Sequence, residues 1–197
     1  MTSGQPASEP RVYQLKVTLQ HVQPPIWRRL QVWGDSSLAD LHDAIQAAVG
    51  WTNSHLHEFL IGETRYGERD LEQEDVANVQ DEAQVLLSDV LDGPGMRFHY
   101  VYDFGDGWQH EILVEKLLPP DPDVFYPICT DGQRACPPED VGGVPGFERF
   151  MQAMADPADP EHNEYMTWFG GEFDPEEFDL EEANEALQDL AVQTSTL

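Results

Sequence analysis

Basic side chains are scarce in this chain: ten Lys and Arg stand against 38 Asp and Glu, giving a net charge of −28 at pH 7. Nucleic-acid binders draw most of their affinity from Lys and Arg that neutralise phosphates, so direct binding to DNA or RNA is not expected. Anionic membrane surfaces are disfavoured on the same ground. Cysteine is scarce too. Two cysteines in 197 residues build no disulfide framework, and reduced thiols in the cytoplasm are the expectation. No apolar run approaches the roughly 18 residues a membrane helix needs. The opening MTSGQPASEP has no positive stretch followed by an apolar one, so it does not read as a secretory signal. Residues 1–10 are read as a flexible tail, 11–190 as a single domain and 191–197 as a C-terminal tail. The common nucleophile-elbow, phosphate-loop and zincin signatures are also missing, so neither a cofactor nor a recognised catalytic motif is assigned.

What is present begins with an uneven charge. Residues 1–60 are almost neutral, and no basic side chain follows Arg149. Solubility or adaptation to high salt is the plain reading of such acidity. A basic protein partner and mimicry of DNA charge are the sharper ones.

Periodicity gives the elements. Tyr13, Leu15, Val17 and Leu19 alternate with polar residues, as a half-buried strand does. Pro24-Pro25 breaks it, and Ile26–Val32 resumes with Arg28 on the face of Ile26, Leu30 and Val32, which suggests a hairpin. Ser37 and Asp40 form a capping-box pattern before a helix that carries Leu38, Leu41, Ile45 and Ala48 and stops at Gly50. His42 falls on the edge of that stripe. HLHEFLIG (55–62) has strand spacing, 63–84 reads as an acidic loop, and 85–91 as a short helix. Beyond Leu118 prolines and glycines interrupt regular structure. Three short helices then follow, with Phe147, Phe150, Met151 and Met154 on the first, Tyr165, Trp168 and Phe169 on the second, and Leu180, Ala183, Leu187 and Leu190 inward on the last. Strands followed by helices imply an α+β fold: a mixed or antiparallel sheet with a β-grasp-like ββαβ start, a β-hairpin and a helical C-terminal portion.

The hairpin is FHYVYDFGDGWQHEI (98–112), and its turn decides its chemistry. A two-residue loop at Asp106-Gly107 would set Asp103 opposite His110, a candidate acid–base pair. A three-residue loop over Gly105–Gly107 sets Tyr102 opposite His110 instead. The second register gathers Phe98, Tyr100, Tyr102 and Phe104 with Trp108, His110, Ile112 and Val114, and leaves Asp103 outside. A one-residue slip would scramble that separation, so the second register is preferred. His110 is then a neutral imidazole hydrogen-bonded to Tyr102 or another hydroxyl. The rival role is a general base in a cleft lined by Trp108 and Tyr102. Asp106 is a turn former.

Other constellations are weaker. His55 and His57 have a spacing that can chelate a metal, but no third ligand is identified. Cys129 and Cys136 are weak metal or redox candidates and read better as packed free thiols. Glu139 and Asp140, in CPPEDVGG, could cap the helix that begins near Pro145 or bind a cation, but with basic side chains so scarce they are expected to hold Arg28, Arg29 or Arg134 by bidentate contacts.

Six stretches together carry a resemblance: PPIWRR (24–29), LHDAIQAAVGW (41–51), HLHEF (55–59), YDFGDGWQHEI (102–112), YPIC (126–129) and CPPEDVGG (136–143). They resemble the plasmid pRiA4b ORF-3-like family over roughly residues 11–190. The resemblance implies a soluble α+β domain with no settled activity, in a family some of whose members are labelled as associated with mobile elements. Relatives often carry a third cysteine where this chain has Val141, which weakens a metal or redox role for Cys129 and Cys136. The resulting expectation is a non-catalytic interaction module. Its cleft would gather Trp27, Arg28 and Arg29, the His55/His57 strand and the Gly105–Gly107 turn, and its partner would be a basic protein. The alternative is an enzyme using His110 or His57 beside Asp103, Glu139 or Asp140.

Overall fold

The computed structural model describes residues 11–68 and 79–194. The N-terminal tail expected over residues 1–10 and the middle of the acidic loop lie outside them.

Among the described residues, eight strands form one sheet: β1 (Val12–Leu19), β2 (Trp27–Trp33), β3 (His57–Ile61), β4 (Thr64–Gly67), β5 (Val79–Asp81), β6 (Arg97–Tyr102), β7 (Trp108–Leu118) and β8 (Ile128–Gln133). Their order across the sheet is β5-β4-β3-β6-β7-β1-β2-β8, and only β4–β5 pair in parallel. Helices α1 (Leu38–Val49), α2 (Leu87–Val90), α3 (Gly143–Ala155), α4 (His162–Phe169) and α5 (Leu180–Thr194) accompany it. The fold is α+β, with helices weighted towards the C-terminal half.

The local signals explain the first half. Strand β1 pairs β2 as the expected hairpin, with Leu15 opposite Leu30. Helix α1 starts at a capping box in which Ser37 and Asp40 bond each other's backbone N–H, and it ends at Gly50 with φ 81°. A β-grasp winding would return β3 to the side of β1. Instead β7 takes that place, antiparallel, and β3 pairs with β6. The long β6–β7 hairpin therefore lies in the middle of the sheet, and its aromatic face becomes the core. Phe59, Phe98, Tyr100, Tyr102, Trp108 and Phe150 are the largest side chains buried to 1 % exposure or less.

Two expectations over 63–84 and 180 are corrected. Part of the acidic loop is the edge of the sheet: β4 and β5 flank residues 69–78, and a 3-10 turn spans Glu82–Gln84. Leu180, expected inward, is 39 % exposed, because α5 begins there and Ala183 and Leu187 make its buried contact.

Candidate functional site

The β6–β7 turn is longer than either register considered. Tyr102 pairs with Trp108 and Tyr100 with His110, so residues 103–107 form a five-residue loop. The parity of the preferred register holds, and Phe98, Tyr100, Tyr102, Trp108, His110 and Ile112 share the buried face. Two details differ. Phe104 is 56 % exposed, and Asp103 is buried. Asp103 has left the ladder at φ 54°, and its Oδ1 accepts the N–H of Gly105 at 2.8 Å and of Asp106 at 3.3 Å. It is a turn-former held inside, where strand alternation no longer applies.

His110 is 2 % exposed among aromatic rings: Tyr100 lies 5.4 Å away and Trp51 meets it edge-on at 5.5 Å. Burial lowers its pKa to about 4, so it is neutral at pH 7. The expected hydroxyl partner is absent, and its Nδ1 has no hydrogen bond among the described residues. Both nearby hydroxyls are engaged elsewhere. Tyr100 accepts from Gln46 at 2.9 Å and lies 2.8 Å from His42 Nδ1. Tyr102 accepts the Ser54 N–H and donates to Glu139.

A second buried imidazole, His42, joins the site without a place among the sequence candidates. His42 stacks on His57 at 3.4 Å, almost parallel, and its Nε2 lies 2.7 Å from Asn53 Oδ1. With the Asn53 oxygen accepting from Nε2, Nδ1 accepts the Tyr100 hydroxyl proton. Burial, reinforced by His57, lowers the His42 pKa to about 4. His57 itself bonds both oxygens of the buried Glu82 at 2.9 Å. The sequence signal was the polar pair His42 and Gln46, four residues apart on the inner side of α1. Glu82 had none, because it lies 25 residues from His57.

The remaining candidates gather where the chain leaves α1. Trp51 stacks on Tyr102 at 4.9 Å and donates to the Pro137 carbonyl. Thr52 donates from both its N–H and its hydroxyl to Glu139. Burial opposes the Glu139 charge, but the bonds from Thr52 and Tyr102 outweigh it and hold the carboxyl below its usual range. His55 Nε2 then lies 3.0 Å from Asp140 Oδ1 and 3.7 Å from Asp103 Oδ2. Asp106 accepts the Gly142 N–H at 3.1 Å, which docks the hairpin turn against the 136–143 segment. That docking requires glycine next door: a Cβ at Gly143, whose φ is 67°, would lie 2.5 Å from the Asp106 carbonyl oxygen.

The arginines do not join this cluster, and Glu139 and Asp140 hold none of them. The PPIWRR stretch splits by strand alternation. Arg28 is buried on the inner face, where it donates to Ala48 O, Trp27 O and Gln133 O and lies over the Phe178 ring at 4.1 Å. Trp27 and Arg29 lie on the outer face, with Arg29 paired to Glu115 and Asp131 at 2.7 Å. Arg134 pairs with Glu176. Cys129 and Cys136 are free thiols whose pKa values are raised by burial, and Cys136 Sγ accepts from Arg28.

Comparison with known proteins settles the relationship. Residues 11–182 match the family described as "Plasmid pRiA4b ORF-3-like protein". The chain belongs to that family. It is 41 % identical over 183 residues to the uncharacterized protein y4hQ of Sinorhizobium fredii, covering 92 % of this chain and 93 % of that one. It is also similar to the crystal structure of a protein of unknown function, MM3350, from Methanosarcina mazei Go1. There the TM-score is 0.79 and the identity 38 %, over 89 % of this chain and 98 % of the other.

Proposed function

We propose that the protein is a cytoplasmic, non-catalytic interaction module that receives a basic segment of a partner protein. The observation that carries this is a cleft of about 380 Å³ between α1, α5 and the segments around Pro137 and Phe173. Its floor is apolar, from Trp51, Phe173, Phe178 and Ala183, and its rim carries Glu139, Glu172, Asp174, Glu177, Asp179 and Glu182. The basic side chain that lines it, Arg28, is spent on internal carbonyls. Glu172, Glu177 and Glu182 form no ion pair among the described residues. An apolar floor under an acidic rim complements Lys and Arg, whose aliphatic stems pack while their heads meet carboxylates. Exposed Phe169 at the mouth adds a ring face for a cation. The two free thiols support the cytoplasmic setting.

The test is a titration with a labelled peptide of alternating Lys and Leu. Binding should weaken as salt rises from about 50 to about 500 mM, and Glu177→Lys with Glu182→Lys should abolish it. Equal affinity for an alternating Glu and Leu peptide, or salt-insensitive binding, would sink the reading.

One observation favours the enzyme reading as a second. His57 and Glu82 line a cavity of about 470 Å³ together with His42 and Asn53. A histidine held by a carboxylate beside a cavity is the arrangement of a general base. Screening with model esters and amides tests it, and a turnover that survives His57→Gln removes it.

A further inference from the structure

The geometry points to a divalent transition-metal site formed by His55, Asp103 and Asp140, with Zn2+ the best fit and Mn2+ the next. His55 Nε2, one oxygen of Asp103 and one oxygen of Asp140 all lie within 4.8 Å of one another. This supplies the third ligand that the His55/His57 spacing lacked, although His57 is not part of the set.

The donor atoms are available. His55 Nε2 is buried, yet it makes no hydrogen bond among the described residues, even at 3.0 Å from Asp140 Oδ1. Asp103 spends Oδ1 on the turn, where it accepts Gly105 N–H and Asp106 N–H. Its Oδ2 is left facing His55 at 3.7 Å. Ligands about 2.0–2.1 Å from a metal sit about 3.0 Å apart in octahedral and about 3.4 Å apart in tetrahedral geometry. The distances of 3.0 and 3.7 Å bracket those values, so adjustments of a few tenths of an ångström at these two edges would close them around an ion.

The donors are also pre-positioned, and each comes from a different segment. The connection after α1 carries His55, and it is clamped by Ser54 N–H on Tyr102 and by Asp103 N–H on the Leu56 carbonyl. The hairpin turn carries Asp103. The 136–143 segment carries Asp140, locked beside Glu139, which grips Thr52 and Tyr102. Sites held by such supporting bonds are the ones that bind tightly. One imidazole and two carboxylates suit Zn2+ or Mn2+. Ca2+ and Mg2+ prefer more oxygen ligands or retained water. The Asp140 side chain is 70 % exposed, so the positions the protein does not fill face solvent, as in open metal sites.

The test uses the full chain, stripped with a chelator and then titrated with Zn2+ by calorimetry and with Mn2+ by electron paramagnetic resonance. One equivalent should bind with micromolar or tighter affinity. His55→Gln and Asp103→Asn should each lower that affinity at least tenfold, with circular dichroism confirming the fold. The Cys129→Ser, Cys136→Ser double variant should bind as the parent does. No stoichiometric uptake by the folded parent overturns the site. So does uptake that survives both His55→Gln and Asp103→Asn, or uptake that is lost only with the cysteines.

Discussion

His110 and His55 approach one stacked aromatic pair, yet their surroundings differ in kind. His110 meets Trp51 edge-on at 5.5 Å and is sealed among rings. His55 meets Tyr102 edge-on at 5.8 Å and has two carboxylates for neighbours. The dry ring has lost its charge, whereas the ring at the site's edge faces two carboxylate oxygens. Residue type therefore says little about chemistry here. What decides it is whether the neighbours are rings or acids, and the five-residue turn sets that by carrying Asp103 out of the ladder.

Breaking the dry side should have the largest effect. Trp108→Ala opens a cavity beneath Trp51 and His110, and should lower stability by about 3–5 kcal/mol in denaturant unfolding. Acid acts on the same side. His42 and His110 have native pKa values of about 4, against about 6.5 in an unfolded chain. Between those values the unfolded chain binds protons that the native one does not. Their contribution is thus complete above about pH 6.5 and is lost as pH falls towards about 4, on the order of 3 kcal/mol for each group. His110→Phe keeps the ring and removes a nitrogen without a hydrogen bond, so its melting temperature should fall less on acidification than the parent's.

The rim should be softer. Gly143→Ala forces a Cβ to 2.5 Å from the Asp106 carbonyl in a left-handed backbone. A loss of about 1–3 kcal/mol is expected, together with weaker metal uptake, because Asp140 would shift from Asp103. Glu139→Gln, which weakens the grip on Thr52 and Tyr102, should cost about 1 kcal/mol and leave the His110-dependent acid response unchanged. If it altered that response, the two sides would not be separable.

Much of the dry side was legible in the sequence. The alternation of β1 and β2, the Ser37 capping box and the parity of the hairpin faces all follow from neighbours a few residues apart. The rim was less so. Its residues come from 52–55, 103–106 and 139–142, and no local pattern says that they meet. Strand alternation puts Asp103 outside, but β6 ends at Tyr102 and the alternation stops there. The scarcity of cations points Glu139 and Asp140 at arginines, whereas Glu139 is satisfied by Thr52 and Tyr102 and the arginines by carbonyls, Glu115, Asp131 and Glu176. The strands flanking residues 69–78 were hidden by their polarity, as edge strands often are.

Imidazole nitrogen NMR of the labelled chain, followed through a pH titration and then through added Zn2+, tests the contrast between the two histidines most directly. The His110 ring should stay neutral from about pH 8 to about pH 5 and not respond to Zn2+, while the His55 signal should shift with one equivalent of the ion. A His110 signal that titrates near the ordinary histidine value, or a His55 signal indifferent to Zn2+, would contradict that contrast.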